Sequence, residues 1–314
     1  MKLRFSVRFN NDLPPRRFAR LAALAEESGF DQIWVSNDLF WQSASVLLGA
    51  AAQATSRIAL GAGVFNPVSM HPAEIAMVAA SMADLTGGRF RLGVGAGADR
   101  FLEWARIDRE PPVARTEKAI SQVRALLAGA VPDGWDGEGR MRVPVVPVPI
   151  YVGAMGPAML RLAGRVADGA LPLLFPPRHY RVAAAQIAEG AAEAGREPAS
   201  IDVAACIWCS IDADPERARQ ALAAKIAYYG RSFSPDLLAR SGLRPSDFDG
   251  GTVTPAMLGL GVAGGAEDVT AACAELVRDG ARHVSFGPPL GPDPEAALKV
   301  LGAEVLPALA RLDE

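Results

Sequence analysis

The chain has 314 residues, half of them apolar and 21% charged, with 32 Lys and Arg against 35 Asp and Glu for a formal net charge of −3. That balance excludes a disordered chain, because there is ample apolar surface to bury and little self-repulsion. It also excludes a strongly basic nucleic-acid binder, which needs a cationic surplus to neutralise phosphates.

Three cysteines cannot build a disulfide framework, which points to a reducing compartment. The first residues alternate charged and apolar side chains and lack the apolar core of a signal peptide. No window of about 18 residues is free of charge and polar breaks, as a membrane span requires. A cytoplasmic location, with no membrane or nucleic-acid partner, is the expectation.

Short apolar runs, often β-branched, alternate with helix-like runs along the whole length. A strand at 2–7 leads to an apolar stripe of Phe18, Leu21, Leu24 and Ala25, a helix that ends at Gly29. Strand 32–35 precedes a helix at 43–54. Strand 58–64 is followed by a helix that Pro72 opens and that runs through Ile75, Val78, Ala79 and Met82 to Gly87 and Gly88. After strand 90–94 comes a long connection, 96–148, with a helical stretch at 116–127, Pro111-Pro112 and an acidic turn at 132–136. Strand 149–152, helix 157–167, strand 169–173, strand 201–210 and helix 214–228 follow. A second long connection, 230–265, leads to helix 267–279 and strand 283–286.

Eight strands that read as buried on both faces, with helices between them, predict an α/β fold, a (β/α)8 TIM barrel with insertions. No Pro/Ser-rich linker divides it, so one domain over 1–314 is expected. The two long connections read as lids, dimer elements or plain surface decoration.

In such a barrel the working residues stand at the carboxyl ends of the strands. Those ends, around 8–11, 36–41, 63–67, 95–99, 153–156, 173–175, 209–210 and 287–289, are rich in Gly and aromatics and poor in His and acids. Glycine lets a ligand approach backbone N–H groups, and aromatic side chains can cover a planar ring. The set suits a large, flat, phosphorylated cofactor better than a metal or an acid–base pair. His71, His179 and His283 show no ligand spacing, so no metal is expected. Cys206 and Cys209 lie in one strand-like run, where residues three apart point to opposite faces roughly 10 Å apart, and read as packed thiols. Cys273 falls on a helix and reads as core.

The run Gly93-Val-Gly95-Ala-Gly97-Ala98 matches a loose dinucleotide fingerprint. A Rossmann unit would need a second strand ending in an acid about 20 residues on. That region reads as helix, so a glycine-rich turn after a barrel strand is preferred. His71 reads as a helix-start residue and His283 as a satisfied core histidine. Asp38 ends a strand beside Asn37 and is followed by Phe40 and Trp41. It reads equally as a site residue or as the cap of the helix at 43–54.

At these strand ends the sequence resembles the luciferase-like flavin and deazaflavin oxidoreductases, in particular the branch containing methylenetetrahydromethanopterin reductase, which uses coenzyme F420. The resemblance rests on residues 25–34, 61–67, 81–95, 151–157, 163–169, 201–205, 210–212 and 286–292, in that order and spacing. It implies a barrel, usually a homodimer, with a ring system near the barrel axis. It implies a non-prolyl cis peptide at Gly63–Val64 behind the central ring, with Asn66 lining the same region. Gly95, Ala96, Gly97 and Ala98 would border the ring, and the loop Gly153, Ala154, Met155 and Gly156 would hold the cofactor phosphate through backbone N–H groups. Asp38 is the candidate catalytic residue at the ring, as a proton donor.

The chain departs from the family pattern in several places. Asn37-Asp38 stands where Asp-His is common, Ser6 where the pterin reductases carry Glu, and Leu173-Leu174-Phe175 where a polar run is usual. Ala98 replaces an acid, with Asp99 one place later. These changes remove proton donors and make one wall of the pocket apolar. The leading expectation is hydride transfer between F420 and a small organic acceptor, pterin-type or less polar. Two alternatives stay open: an FMN-dependent monooxygenase of the same superfamily, and a non-catalytic flavin-binding member.

Overall fold

The computed structural model describes residues 2–230 and 233–312. In chain order the elements are β1 (Arg4–Phe9), α1 (Pro15–Glu27), β2 (Gln32–Val35), α2 (Ala44–Ala54), β3 (Ala59–Phe65), α3 (Pro72–Leu85), β4 (Phe90–Val94), α4 (Asp99–Trp104) and α5 (Pro112–Leu127). Then come β5 (Ile150–Ala154), α6 (Pro157–Val166), β6 (Gly169–Pro172), α7 (Tyr180–Glu193), β7 (Asp202–Val203), β8 (Ala205–Ile211) and α8 (Pro215–Tyr229). The chain finishes with α9 (Pro235–Ala239), α10 (Pro255–Leu258), β9 (Gly261–Gly264), α11 (Ala266–Arg278), β10 (His283–Leu290), α12 (Pro294–Val300) and α13 (Leu306–Ala310).

All pairings are parallel, in the order β7-β6-β5-β4-β3-β2-β1-β10-β8-β9. The ladder closes because β7 and β8 are one strand interrupted at Ala204. Its first residues pair with β6, a bridge joins Leu173 to Cys206, and its later residues pair with β10. This is the expected barrel. The expected strand 201–210 is therefore two ladders. Strand β9, which the sequence reading left inside a connection, takes the edge of β8 beyond the point where β6 departs.

The strand faces turned to the helices carry the main core, built from residues such as Val7, Ile33, Leu60, Leu92, Val152 and Phe286. Helices begin where proline fixes the first turn: Pro15, Pro72, Pro112, Pro157 and Pro215 all stand at the start of a helix, where the missing N–H costs nothing. His71 caps α3 through Nδ1, which accepts from the Ala73 N–H at 3.2 Å. Helices α6 and α7 meet at Gly164 and Gly190, where a Cβ would strike the opposite backbone. A smaller core of Trp208, Leu222, Ile226, Leu237, Phe248 and Met257 ties the 230–265 excursion to the barrel mouth.

Candidate active site

The Gly63–Val64 peptide at the end of β3 is cis, as the family resemblance implied. Val64 sits among three strand glycines. A Cβ on Gly153 would lie 2.9 Å from Val64 Cγ1, one on Gly93 3.2 Å from Cγ1, and one on Gly95 3.2 Å from Cγ2. Beneath it Trp34, Tyr151, Leu171 and Ala204 fill the barrel. The Trp34 ring occupies the space that a side chain on Gly61 would need. The result is a backbone-rich wall at the mouth, flanked by β4 and β5.

Asn66 holds this wall in place. Its Nδ2 donates to the Ala96 carbonyl at 2.5 Å, and its Oδ1 accepts from the Val68 N–H at 2.9 Å. Gly97, with φ of +64°, turns back over the Asn66 amide, a conformation that favours glycine. Ala98 precedes α4 in extended conformation. Gly153 and Met155 are half-buried, whereas the Ala154 side chain belongs to the core. Gly156 is the extended residue before α6, and no side chain caps that helix. Its first backbone N–H groups are thus left without a side-chain acceptor, as an anion-binding helix terminus requires.

Asp38 lies on the other flank, in a cavity of about 220 Å³ lined by Asn10, Asn11, Asp12, Trp41, Lys225 and Tyr228 as well as Tyr229. Helix α2 is not capped by Asp38: Asn37 Oδ1 accepts from the Ala44 N–H at 3.1 Å. Asn11 fixes the Asp38 backbone, donating to its carbonyl at 2.9 Å and accepting from its N–H at 3.2 Å. Among the described residues the carboxylate takes only a long bond, 3.4 Å, from Ser36 Oγ. Burial raises its pKa, and the Lys225 charge works against that rise.

Lys225 was not singled out in the sequence. Its Nζ donates to Asn10 Oδ1 at 3.0 Å and lies 4.1 Å from the Tyr229 ring centroid and 5.5 Å from that of Trp208. Burial pulls its pKa down to about 8, against the attraction of Asp12 and Asp38. The signal was present: Leu222, Lys225, Ile226 and Tyr229 follow helical i, i+3, i+4, i+7 spacing, so the lysine interrupts an apolar stripe. An aromatic rim surrounds the cavity. Phe40, Trp41, Trp104 and Tyr228 are exposed, and the Arg100 guanidinium stacks 4.5 Å from the Tyr228 ring and 4.9 Å from that of Trp104.

The barrel floor is polar, which the sequence reading missed except for His283. Asp202 receives Arg4 at 2.6 Å, the Tyr151 hydroxyl at 2.7 Å and His283 Nδ1 at 3.1 Å. Burial alone would raise the Asp202 pKa, but His283, Arg4 and Tyr151 together hold it below the usual value. His283 Nε2 meets Ser6 Oγ at 2.9 Å, and Ser6 donates to Ser285 at 2.8 Å. Arg8 donates to Ser285 Oγ at 3.0 Å and to the Ala204 carbonyl at 2.7 Å. Cys206, Cys209 and Cys273 are buried free thiols, and burial pushes all three pKa values up, Cys209 to about 12. Of the apolar run after β6, Leu174 and Phe175 are buried, Phe175 against Trp208 and Phe233, and Leu173 alone is half-buried. Among the described residues no group of three or more His, Cys, Asp or Glu could hold a metal, and no helix is long and apolar enough to cross a membrane.

Comparison with known proteins bears on this site. The family described as luciferase-like monooxygenase matches residues 3–283. A 5,10-methylenetetrahydromethanopterin reductase of Methanolobus tindarius is 35% identical, over 96% of this chain and 99% of its own length. An F420-dependent glucose-6-phosphate dehydrogenase of Beutenbergia cavernae is 37% identical over 66% of this chain and 68% of its own. The solved structure of the coenzyme F420 dependent tetrahydromethanopterin reductase from Methanopyrus kandleri superposes with a TM-score of 0.86 at 29% identity, covering 98% of this chain and all of that one.

Proposed function

The chain belongs to the luciferase-like monooxygenase family, and on that premise we propose that it is an F420-dependent oxidoreductase that moves hydride between the deazaflavin and a small organic acceptor. The observation that carries this reading is the wall of Gly63, Val64, Gly95 and Gly153 at the strand ends, in a barrel whose other strand ends bear a cavity lined by Asp38 and Lys225. Side chains on Gly95 and Gly153 would crowd Val64, so these glycines let Val64 pack close to the neighbouring backbone. The relatives named as F420-dependent support the cofactor.

The residues present fit such a cofactor. The uncapped start of α6, at Gly156, suits a phosphate because unpaired N–H groups and the helix dipole both favour an anion. The Gly63–Val64 wall would back the ring, with Asn66 fixing the loops that carry Ala96, Gly97 and Ala98. When bound, F420 supplies a ring carbon that carries hydride. The chain's own part is to orient the acceptor, exclude water and manage the proton. Phe40, Trp41, Trp104 and Tyr228 form an apolar rim near the cavity, and Leu173 packs against the smaller core at the barrel mouth. An acceptor with a planar or apolar body and one polar end fits these surfaces. Asp38, in the cavity lining, is the candidate group at that polar end. One domain acting as a homodimer in the cytoplasm completes the reading.

The test is fluorescence titration with F420 and FMN, each oxidised and reduced. Binding of F420 alone, at micromolar Kd or tighter, is the expected result. Preference for FMN, with oxygen consumption by the reduced complex, would replace this reading with a monooxygenase. Tight binding of F420 without turnover across a broad acceptor panel would replace it with a non-catalytic binder.

A further inference from the structure

Lysine is rarely buried unless a carboxylate pairs with it, because an unpaired ammonium loses its hydration without compensation. Lys225 is half-buried and lines the cavity without such a pair among the described residues. Among the described residues its hydrogen bond goes to the neutral Asn10 amide oxygen. Asp12 and Asp38 line the same cavity and attract its charge, without a salt bridge to Nζ among the described residues. The Tyr229 and Trp208 faces hold the ammonium from the apolar side. The same side chain lines the cavity.

We propose that Lys225 is the catalytic acid that gives a proton to the acceptor as hydride reaches it. The inference rests on the F420-dependent reading above and names the proton donor within it. Hydride from the reduced deazaflavin adds to the carbon of a polarised C=O, C=N or conjugated C=C bond. The π pair moves to the heteroatom or the far carbon and takes H⁺ from Nζ. The deazaflavin is left oxidised and the lysine neutral, and water entering the open cavity restores its proton.

Other features of the site point the same way. The cavity contains no histidine, and Asp38 and Asp12 offset the lysine charge, so the site is poorly suited to holding an anion. The titratable and charged groups facing Lys225 are Asp12 and Asp38 from the loops after β1 and β2, Cys206 on β8 and Tyr229 on α8. Arg100 of α4 lies beyond Asp38. Burial outweighs the carboxylates and brings the lysine to about 8, where it can both give and regain a proton near neutrality.

The test compares two probe acceptors with reduced F420. Cyclohexenone needs hydride and a proton, whereas an N-methyl dihydroisoquinolinium salt, a preformed iminium, needs hydride alone. In Lys225→Met the enone-to-iminium rate ratio is expected to fall about 100-fold or more, the scale of general acid catalysis. In the wild type enone reduction is expected to decline as pH rises through about 8, with iminium reduction free of that limb. Ethylamine added to Lys225→Ala should restore part of the enone rate. Equal loss of both rates would overturn the proposal in favour of a structural role, and an unchanged ratio would overturn it outright. Wild-type protein that binds no F420, or that binds it and reduces neither probe, would instead overturn the functional reading, and this proposal with it.

Discussion

Gly153→Ala tests the backbone wall directly. The new Cβ would stand 2.9 Å from Val64 Cγ1, roughly 0.6–1.1 Å inside an ordinary carbon–carbon contact. Val64 yields poorly, because its β-branch restricts χ1. Overpacking of this kind costs about 1–3 kcal/mol, offset by up to about 1 kcal/mol from the reduced freedom of the unfolded chain. The net stability loss is therefore modest, about 1 kcal/mol. The larger effect falls on the wall, since Val64 must move toward the space that a ring would use. A displacement that costs the bound state about 1.4 kcal/mol weakens F420 tenfold, and at least that weakening is expected by fluorescence titration. Val64→Ala removes the clashing methyl, so the double variant should bind more tightly than additivity predicts. A coupling energy of about 1 kcal/mol or more is expected for residues in direct contact. Strict additivity, or F420 affinity unchanged by Gly153→Ala, would refute the wall.

Other outcomes follow from the same structure. Asp202→Ala leaves Arg4, Tyr151 and His283 without their shared acceptor, and urea unfolding at pH 7 should register a loss of about 3–5 kcal/mol. Because the folded pKa of Asp202 is depressed, its stabilisation is present above the unfolded carboxylate value and lost as pH falls through the folded one. The variant's stability deficit should accordingly shrink in acid. Asp38→Asn replaces a carboxylate whose pKa burial raises with a neutral isostere, so Tm at pH 7 should hold or rise while turnover falls. Wild-type turnover in this variant would remove Asp38 from its role. Gly164→Ala would drive a methyl into the α7 backbone at Ile187. A loss of about 3 kcal/mol by denaturant titration is expected, and a neutral result would contradict the close crossing of α6 and α7.

The barrel was legible because strand and helix periods alternate from end to end, and because glycine and proline mark the junctions. The glycine set at the strand ends was legible for the same reason: a residue without a side chain declares that something must come close. Asp38 was ambiguous in the sequence, since a strand-end Asp beside Asn can cap a helix or face a cavity. Only the fold gave the cap to Asn37 and left Asp38 in the cavity.

By itself the sequence determined the alternation of the main strands with helices and the clustering of glycines at the strand ends, which are local properties of composition and spacing. The tertiary structure decided what closes the barrel, with Ala204 splitting one strand between two neighbours. It also decided that Arg4, Tyr151, Asp202 and His283 share one buried network, and that Lys225 stands opposite Asp38. These residues are separated by 50 to 280 positions or so along the chain, and no periodicity reaches that far. Their meeting depends on how eight strands wrap around a common axis, which sets distances that no single segment encodes.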